Sequence, residues 1–385
     1  MFRQLVACAA WSACVAACCI SAAEPRPLSA VAPASTQTET PARKYKVLVL
    51  TQSMGFKHSV VTRPAGTSGA YSMVESALME IGVKSNLFDA ECIQDATLIT
   101  PEKLKDTDAI VFYTSGDLPL KPAAFAPIQN WLRGGKAVIG IHSATDTFKE
   151  FRPYYEMMGA TYLRHPWNHG ATVTNLEPAH PAVKMFPAEF EWHDELCEHL
   201  YFDARKVRVL MAVNTAKSTP KVPKMVPLCW VREYGKGRVF YTNFGNGEAA
   251  WGDAQFRAHI LGGMRWALKL DEGSVEPNTD VTAAEDTKAR LAVLESHRSW
   301  LTQCARGCSA DPVIVLATAS KMANADKPGF LKLHDSIATA RADEAHREAA
   351  LKPKQKPSEA DVKGVLQRRK EIIAQLLSKR DAPVQ

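Results

Sequence analysis

Ala137-Val138-Ile139-Gly140-Ile141-His142-Ser143-Ala144-Thr145-Asp146 is the stretch that decides how this chain folds. Five apolar residues without a polar interruption read as a strand buried on both faces, the kind found inside a parallel sheet. The run then breaks into His, Ser, Thr and Asp. Working outward from it, Ala123 to Leu132 reads as a helix stopped by Gly134-Gly135. Ala109-Ile110-Val111-Phe112-Tyr113 is another apolar run, ending at Ser115-Gly116-Asp117. Further upstream, Val83 to Phe88 reads as a strand, Ser72 to Ile81 as a helix and Val47-Leu48-Val49-Leu50 as the first strand. Strands separated by helices require right-handed crossovers, so the expected fold is α/β, a doubly wound, mostly parallel sheet of the flavodoxin kind.

Downstream the pattern changes. Residues 160–205 are rich in His, Trp and Pro and lack a clear period. Val207 to Val213 is a strand, and Leu228 to Tyr234 and Arg238 to Asn243 flank Gly235-Lys236-Gly237 as a hairpin. A helix follows from Ala254 to Leu270, and the polar, acidic residues 271–285 mark a boundary. The α/β domain is therefore expected over 44–271 and a helical appendage over 285–385, with a Lys/Pro-rich break at 351–358.

The chain has 385 residues, 46% hydrophobic and 23% charged, which excludes a disordered, collagen-like or coiled-coil protein. Its 47 basic and 41 acidic residues give a net charge of +6, too mild to argue for a nucleic-acid partner. Arg3, an apolar run from Leu5 to Ile20 and the small residues Ser21 and Ala23 read as a secretory signal peptide over 1–23. A second reading takes Val15-Ala16-Ala17-Cys18 as similar to a bacterial lipobox, with Cys18 as a lipid anchor and the sole membrane attachment. Either reading expects a periplasmic or extracellular protein. Residues 24–43, rich in Pro, Ala, Ser and Thr, read as a flexible linker. Beyond the leader, Cys92, Cys197, Cys229, Cys304 and Cys308 remain. Cys304 and Cys308 stand one helical turn apart, which suits a local disulfide or two ordinary buried thiols.

In doubly wound sheets ligands bind outside the carboxyl ends of the strands. The residues that follow each apolar run are Gly55-Phe56-Lys57-His58, Ser115-Gly116-Asp117 and His142-Ser143. Six of the eleven histidines lie between 142 and 199: His142, His165, His169, His180, His193 and His199. Histidine titrates near neutrality and is the commonest metal ligand. Asp194 and Glu195 add carboxylates beside His193. His180-Pro181 reads as a turn former, and His199 and His259 as surface or satisfied core residues. This leaves His58, His142, Asp194 and Glu195 as candidate catalytic residues. His165, His193, Trp167, Ser143, Asp117 and Asn246 are candidates for substrate binding.

Several of these segments, taken in order, resemble a known family. Gly55-Phe56-Lys57-His58, Gly140-Ile141-His142-Ser143-Ala144, His165-Pro166, His180-Pro181, His193-Asp194-Glu195, Gly235-Lys236-Gly237-Arg238-Val239-Phe240-Tyr241-Thr242, Trp251 and Trp266-Ala267-Leu268 look like the ThuA-like (trehalose utilisation) domain over about 45–270. The resemblance implies the class I glutamine amidotransferase-like fold. It also implies a carbohydrate-linked role, with a keto-disaccharide as the suggested substrate. True amidotransferases resemble Gly-x-Cys-x-Gly at a strand-to-helix elbow, where a thiolate is presented. Here His142 stands at that position, so a thioester route to glutamine hydrolysis is not expected. Family sequences resemble Gly-His after the late strand, whereas this chain has Gly245-Asn246-Gly247, and an Asn cannot serve as a general base.

Trp167, Trp192, Trp230 and Trp251 fall in the His-rich half. They suit either the apolar faces of sugar rings or core filling. A proton next to a carbonyl can be removed by a base of near-neutral pKa, so a keto-sugar suits His and carboxylate acid–base chemistry. The two functional expectations are an enzyme on a carbohydrate derivative and a non-catalytic carbohydrate-binding module. A divalent cation such as zinc, held by the His cluster, is compatible with both.

Overall fold

Strand β1 (Tyr45–Leu50) shows why the sheet is covered on both sides. Val47 and Val49 join one hydrophobic cluster, while Leu48 and Leu50 join another on the opposite face. Each fully buried side chain of this size contributes about 2 kcal/mol. The same alternation runs through β3 and β4 below, so apolar runs without polar interruption are what the architecture requires. The computed structural model describes residues 43–381, apart from 67, 68, 121, 353 and 354. The expected leader, the Cys18 anchor and nearly all of the 24–43 linker lie outside the described residues.

After β1 come α1 (Met73–Ser85), β2 (Phe88–Ile93), α2 (Pro101–Lys105), β3 (Ala109–Phe112), α3 (Pro122–Arg133), β4 (Ala137–Ile141) and α4 (Arg152–Met158). Then follow β5 (Thr161–Trp167), β6 (Ala171–Asn175), β7 (Glu189–Trp192), β8 (Leu196–Leu200), β9 (Arg208–Val213), β10 (Pro227–Tyr234) and β11 (Gly237–Thr242). The domain closes with α5 (Glu248–Gly252) and α6 (Ala254–Ala267). The main sheet has nine strands in the order β2-β1-β3-β4-β11-β10-β9-β6-β7, and β5 and β8 form a separate antiparallel pair. β2, β1, β3, β4 and β11 are mutually parallel. From β11 through β10, β9 and β6 to β7 every pairing is antiparallel. Helices α1 and α6 supply Val74, Leu78, Phe256, Ile260 and Met264 to one face, and α3 and α4 supply Phe125, Ile128, Tyr154 and Met157 to the other.

The expected second strand is displaced. Val83 belongs to α1, which a Ser72–Glu75 capping box starts and Asn86, in the left-handed region, ends. The strand is Phe88–Ile93, whose alternating burial is that of a sheet edge and not of an apolar run. The appendage begins earlier than 285. Helices α7 (Thr279–Gly307), α8 (Pro312–Ala325), α9 (Lys327–Ala349) and α10 (Glu359–Ser378) share a core of Val293, Leu301, Val315, Phe330, Leu333, Ile337 and Leu376. Asn278 and Asp286 tie this bundle to the sheet by hydrogen bonds to the backbone of Val209 and Met225. Cys304 and Cys308 are both free thiols. No helix among the described residues is long and apolar enough to cross a membrane.

Candidate functional site

The order β2-β1-β3 reverses the direction of winding between β1 and β3, where an open α/β sheet leaves a crevice at its carboxyl edge. The chain uses that crevice to anchor His58. The β1 and β3 loops press together backbone to backbone: the N–H groups of Met54 and Gly55 donate to the Ser115 carbonyl at 2.8 and 3.2 Å. A Cβ on Gly116, whose φ is +72°, would stand 2.4 Å from the Gly55 nitrogen, so only glycine permits the approach. Ser115 Oγ donates to the Phe56 carbonyl at 2.6 Å, and His58 follows at the head of a short 3-10 turn.

His142 sits on the turn leaving β4 with φ of +46°, an uncommon conformation for a residue with a side chain. Three contacts hold it there. The Tyr241 hydroxyl donates to the His142 carbonyl at 2.8 Å. Thr145 Oγ1 lies 3.1 Å from that same hydroxyl. His142 Nδ1 lies 2.8 Å from the Asn243 carbonyl. A carbonyl only accepts, so Nδ1 carries the proton and Nε2 presents a lone pair. Asn243 is itself fixed, its side-chain amide paired both ways with the Cys197 backbone at 3.0 Å.

The two imidazoles meet edge to face, with centroids 4.9 Å apart. Burial pulls His58 down to about 3 and His142 to about 4, so both rings are neutral at pH 7. Glu195 Oε1 is 3.8 Å from His142 Nε2, and Glu195 Oε2 is 3.9 Å from His165 Nδ1. Burial raises the Glu195 carboxyl above its ordinary value. One ligand atom from each of His58, His142 and Glu195 falls within 4.8 Å of the others. The floor is closed and the rim is open: His142 is 2% exposed, His165 is exposed, and Phe56, edge-on to His58 at 4.9 Å, is 71% exposed. Tyr162 stacks beside His165 and beneath Lys149.

Asp194 serves a different purpose from its neighbour. Its oxygens accept from the backbone N–H groups of Gly245, Asn246, Gly247 and Glu195 at 2.7 to 3.3 Å. They fold the loop after β11 over the site and bring the Asn246 side chain beside His142, where it favours the protonated ring. Ser143 Oγ is buried without a hydrogen-bond partner. His193 and Asp117 are exposed. Trp167 does not line the rim: it is 2% exposed and donates to the Pro220 carbonyl from within the core. Trp192, Trp230 and Trp251 are buried as well. His180, His199 and His259 are buried; His180 Nδ1 accepts from the Ala182 N–H in the turn it opens.

Sequence reading missed Tyr113, Asn243 and Tyr162. The Tyr113 hydroxyl donates to the Gly245 carbonyl at 2.8 Å, and its ring lies against both imidazoles. Asn243 directly follows β11, so its place after a strand end was the available signal. Cys197 lies close by, and burial pushes its thiol well above its ordinary value. A groove of about 860 Å³ passes Arg43, Lys46, Asp89 and Lys136 near the amino ends of β1 and β4. Its central Asp108 is already paired with Arg43 and Lys136.

Among solved structures, a protein described as ThuA-like from Bacteroides uniformis is 17% identical, with 62% of this chain and 97% of that chain covered and a TM-score of 0.49. A second, from Parabacteroides merdae, is 16% identical with 61% and 94% covered and a TM-score of 0.48. One described as a GMP synthase protein from Thermoplasma acidophilum is 12% identical with 59% and 94% covered and a TM-score of 0.36. Comparison with curated proteins returns no match. The family model described as ThuA, trehalose utilisation, matches residues 46–267. With more than half of its length matched, this chain belongs to the ThuA family.

Proposed function

We propose that this ThuA-family protein acts on a carbohydrate derivative, a keto-disaccharide, by His and carboxylate acid–base chemistry at the His58–His142–Glu195–His165 cluster. The observation that carries the reading is the convergence of two buried imidazoles, one half-buried carboxylate and one exposed imidazole at the carboxyl edge of β1 and β4. His142 Nε2 and Glu195 Oε1 are acceptors that suit sugar hydroxyls. Phe56 and Tyr162 are the rim aromatics that suit the apolar face of a sugar ring.

His165 is the group placed for proton transfer. Its Nδ1 lies 2.6 Å from Asn168 Oδ1, which accepts from it and leaves the Nε2 lone pair facing outward. When His165 removes the proton beside the keto carbonyl, Glu195 Oε2 stands near enough to stabilise the imidazolium. Asp194 and Asn243 act by positioning. The leader read over 1–23 supports placing this activity in the periplasm or outside the cell.

Prolonged incubation with keto-disaccharides, followed by mass-spectrometric product analysis, tests the reading. Wild-type protein should convert the substrate. His142→Ala and His165→Ala should each lose about 100-fold or more in rate, and His169→Ala, off the site, should not. Sugar binding without any product would instead support a non-catalytic module, the reading that Asn246 favours because it cannot act as a base.

A further inference from the structure

Hydrogen-bond polarity at the floor of the notch carries a further conclusion. Because Nδ1 of His142 is committed to the Asn243 carbonyl, its Nε2 points a lone pair at Glu195 Oε1, which is also an acceptor. His58, 7% exposed, adds a ring whose Nδ1 is buried with no hydrogen-bond partner. Donors are scarce where these groups converge: the Asn246 side chain favours the protonated His142, as an acceptor does, and the Tyr113 hydroxyl is spent on Gly245. A neutral ligand that brings donors to both His142 and Glu195 would still leave His58 unexplained. A cation satisfies all three at once.

We propose that His58, His142 and Glu195 form a binding site for a divalent transition-metal ion, zinc or a close relative. Two imidazoles and one carboxylate make a common donor set for such ions. His142 shows the outer-sphere arrangement of a ligating histidine, one ring nitrogen donating to a backbone carbonyl while the other faces the ion. Asn243, clamped to Cys197, fixes that orientation in advance. The separations, 3.8 Å between His142 and Glu195 and at most 4.8 Å within the set, exceed the roughly 3.3 Å between ligands of a tetrahedral zinc ion. Ion binding would draw the three ligand atoms together by up to about 1.5 Å, and half-buried Glu195 has the most room to move. An ion held by three protein groups takes its remaining ligands from water or substrate. At this place it would polarise a sugar carbonyl or hydroxyl, with Glu195 Oε2 and His165 left at the rim for the proton.

This conclusion deepens the proposed function and rests on it only for the identity of what approaches the ion. The test therefore omits substrate. Full-length protein is purified without chelators, stripped with EDTA and titrated with zinc or cobalt(II) by calorimetry, and the cobalt form is examined for its visible ligand-field bands. The expected result is about one equivalent bound by wild type. Affinity should fall at least about tenfold in His142→Ala and in the near-isosteric Glu195→Gln, with the cobalt bands shifted or lost. His169→Ala should bind as wild type does. Stoichiometry well below one, or unchanged affinity in folded Glu195→Gln, overturns the site. Stoichiometric metal in a protein that converts no keto-disaccharide overturns the substrate reading and leaves the metal site standing.

Discussion

His142 and His259 are both buried imidazoles that burial pulls to about 4, yet they belong to different kinds of environment. His259, on α6, is saturated. Its Nδ1 bonds the Ala182 carbonyl and its Nε2 lies 2.9 Å from Thr242 Oγ1, while Phe186, Phe240, Phe244 and Phe256 enclose the ring. His142 has one nitrogen fixed and the other turned toward Glu195 at the sheet edge. Burial and a depressed pKa are common to core and site. The distinction lies in whether the second nitrogen is satisfied within the protein.

Substitutions at the two positions should separate them most sharply. His259→Ala opens a cavity among aromatic rings and strands two hydrogen-bonding groups, so it should cost about 3 kcal/mol in urea unfolding while the remaining folded protein keeps its turnover. His142→Ala should do the reverse, losing turnover with a much smaller stability change. Equal stability losses in the two variants would erase the distinction.

Acid titration gives a comparable effect. His259 is neutral when folded and takes up a proton near 6.5 when unfolded, so its contribution is complete above pH 6.5. As the pH falls from 6.5 to about 4 the unfolded chain binds the proton first, and stability drops by an amount on the order of 3 kcal/mol. Below that the contribution is flat. His180 and His199, also pulled down by burial, add to the same slope. The His259 share is therefore the difference between wild type and His259→Gln, measured as unfolding free energy at pH 7 and pH 5. Identical slopes would mean that folding leaves the ring's pKa unchanged.

The smallest effect is expected at Ser143, beside His142 on the elbow. Its buried hydroxyl has no partner, so Ser143→Ala should leave stability unchanged or raise it by up to about 1 kcal/mol, with turnover intact. Abolished turnover in a folded Ser143→Ala protein would move the chemistry from the imidazoles to a serine nucleophile.

How much of this is legible in the sequence depends on the local pattern. β1, β3 and β4 are short apolar runs because both their faces are covered, and that made them visible at nearly their true bounds. β2 is an edge strand with polar residues on alternate positions, and the apolar run from Val83 to Phe88 spans the tail of α1 and only the first residue of β2. β6, β7 and the β5–β8 pair, hidden in the irregular His-rich stretch, pair antiparallel across long gaps in sequence, and no local period marks them.

The site divides along the same line. Position after a strand end pointed to His58 and His142, and proximity to them in composition pointed to Glu195. Composition failed for the tryptophans, which pack the core, while the less conspicuous Phe56 and Tyr162 occupy the rim. It also could not separate Asp194 from Glu195, adjacent carboxylates of which one folds a loop and the other faces the notch.

By itself the sequence determined the alternation of strand and helix, the parallel half of the sheet and the edge at which polar residues gather, because these follow from which residues water excludes locally. Only the tertiary structure decided which nitrogen of His142 is free, which of two neighbouring carboxylates is available, and that His58 lies against His142. Those outcomes depend on hydrogen-bond partners brought together from residues up to about a hundred positions apart, and no local pattern encodes them.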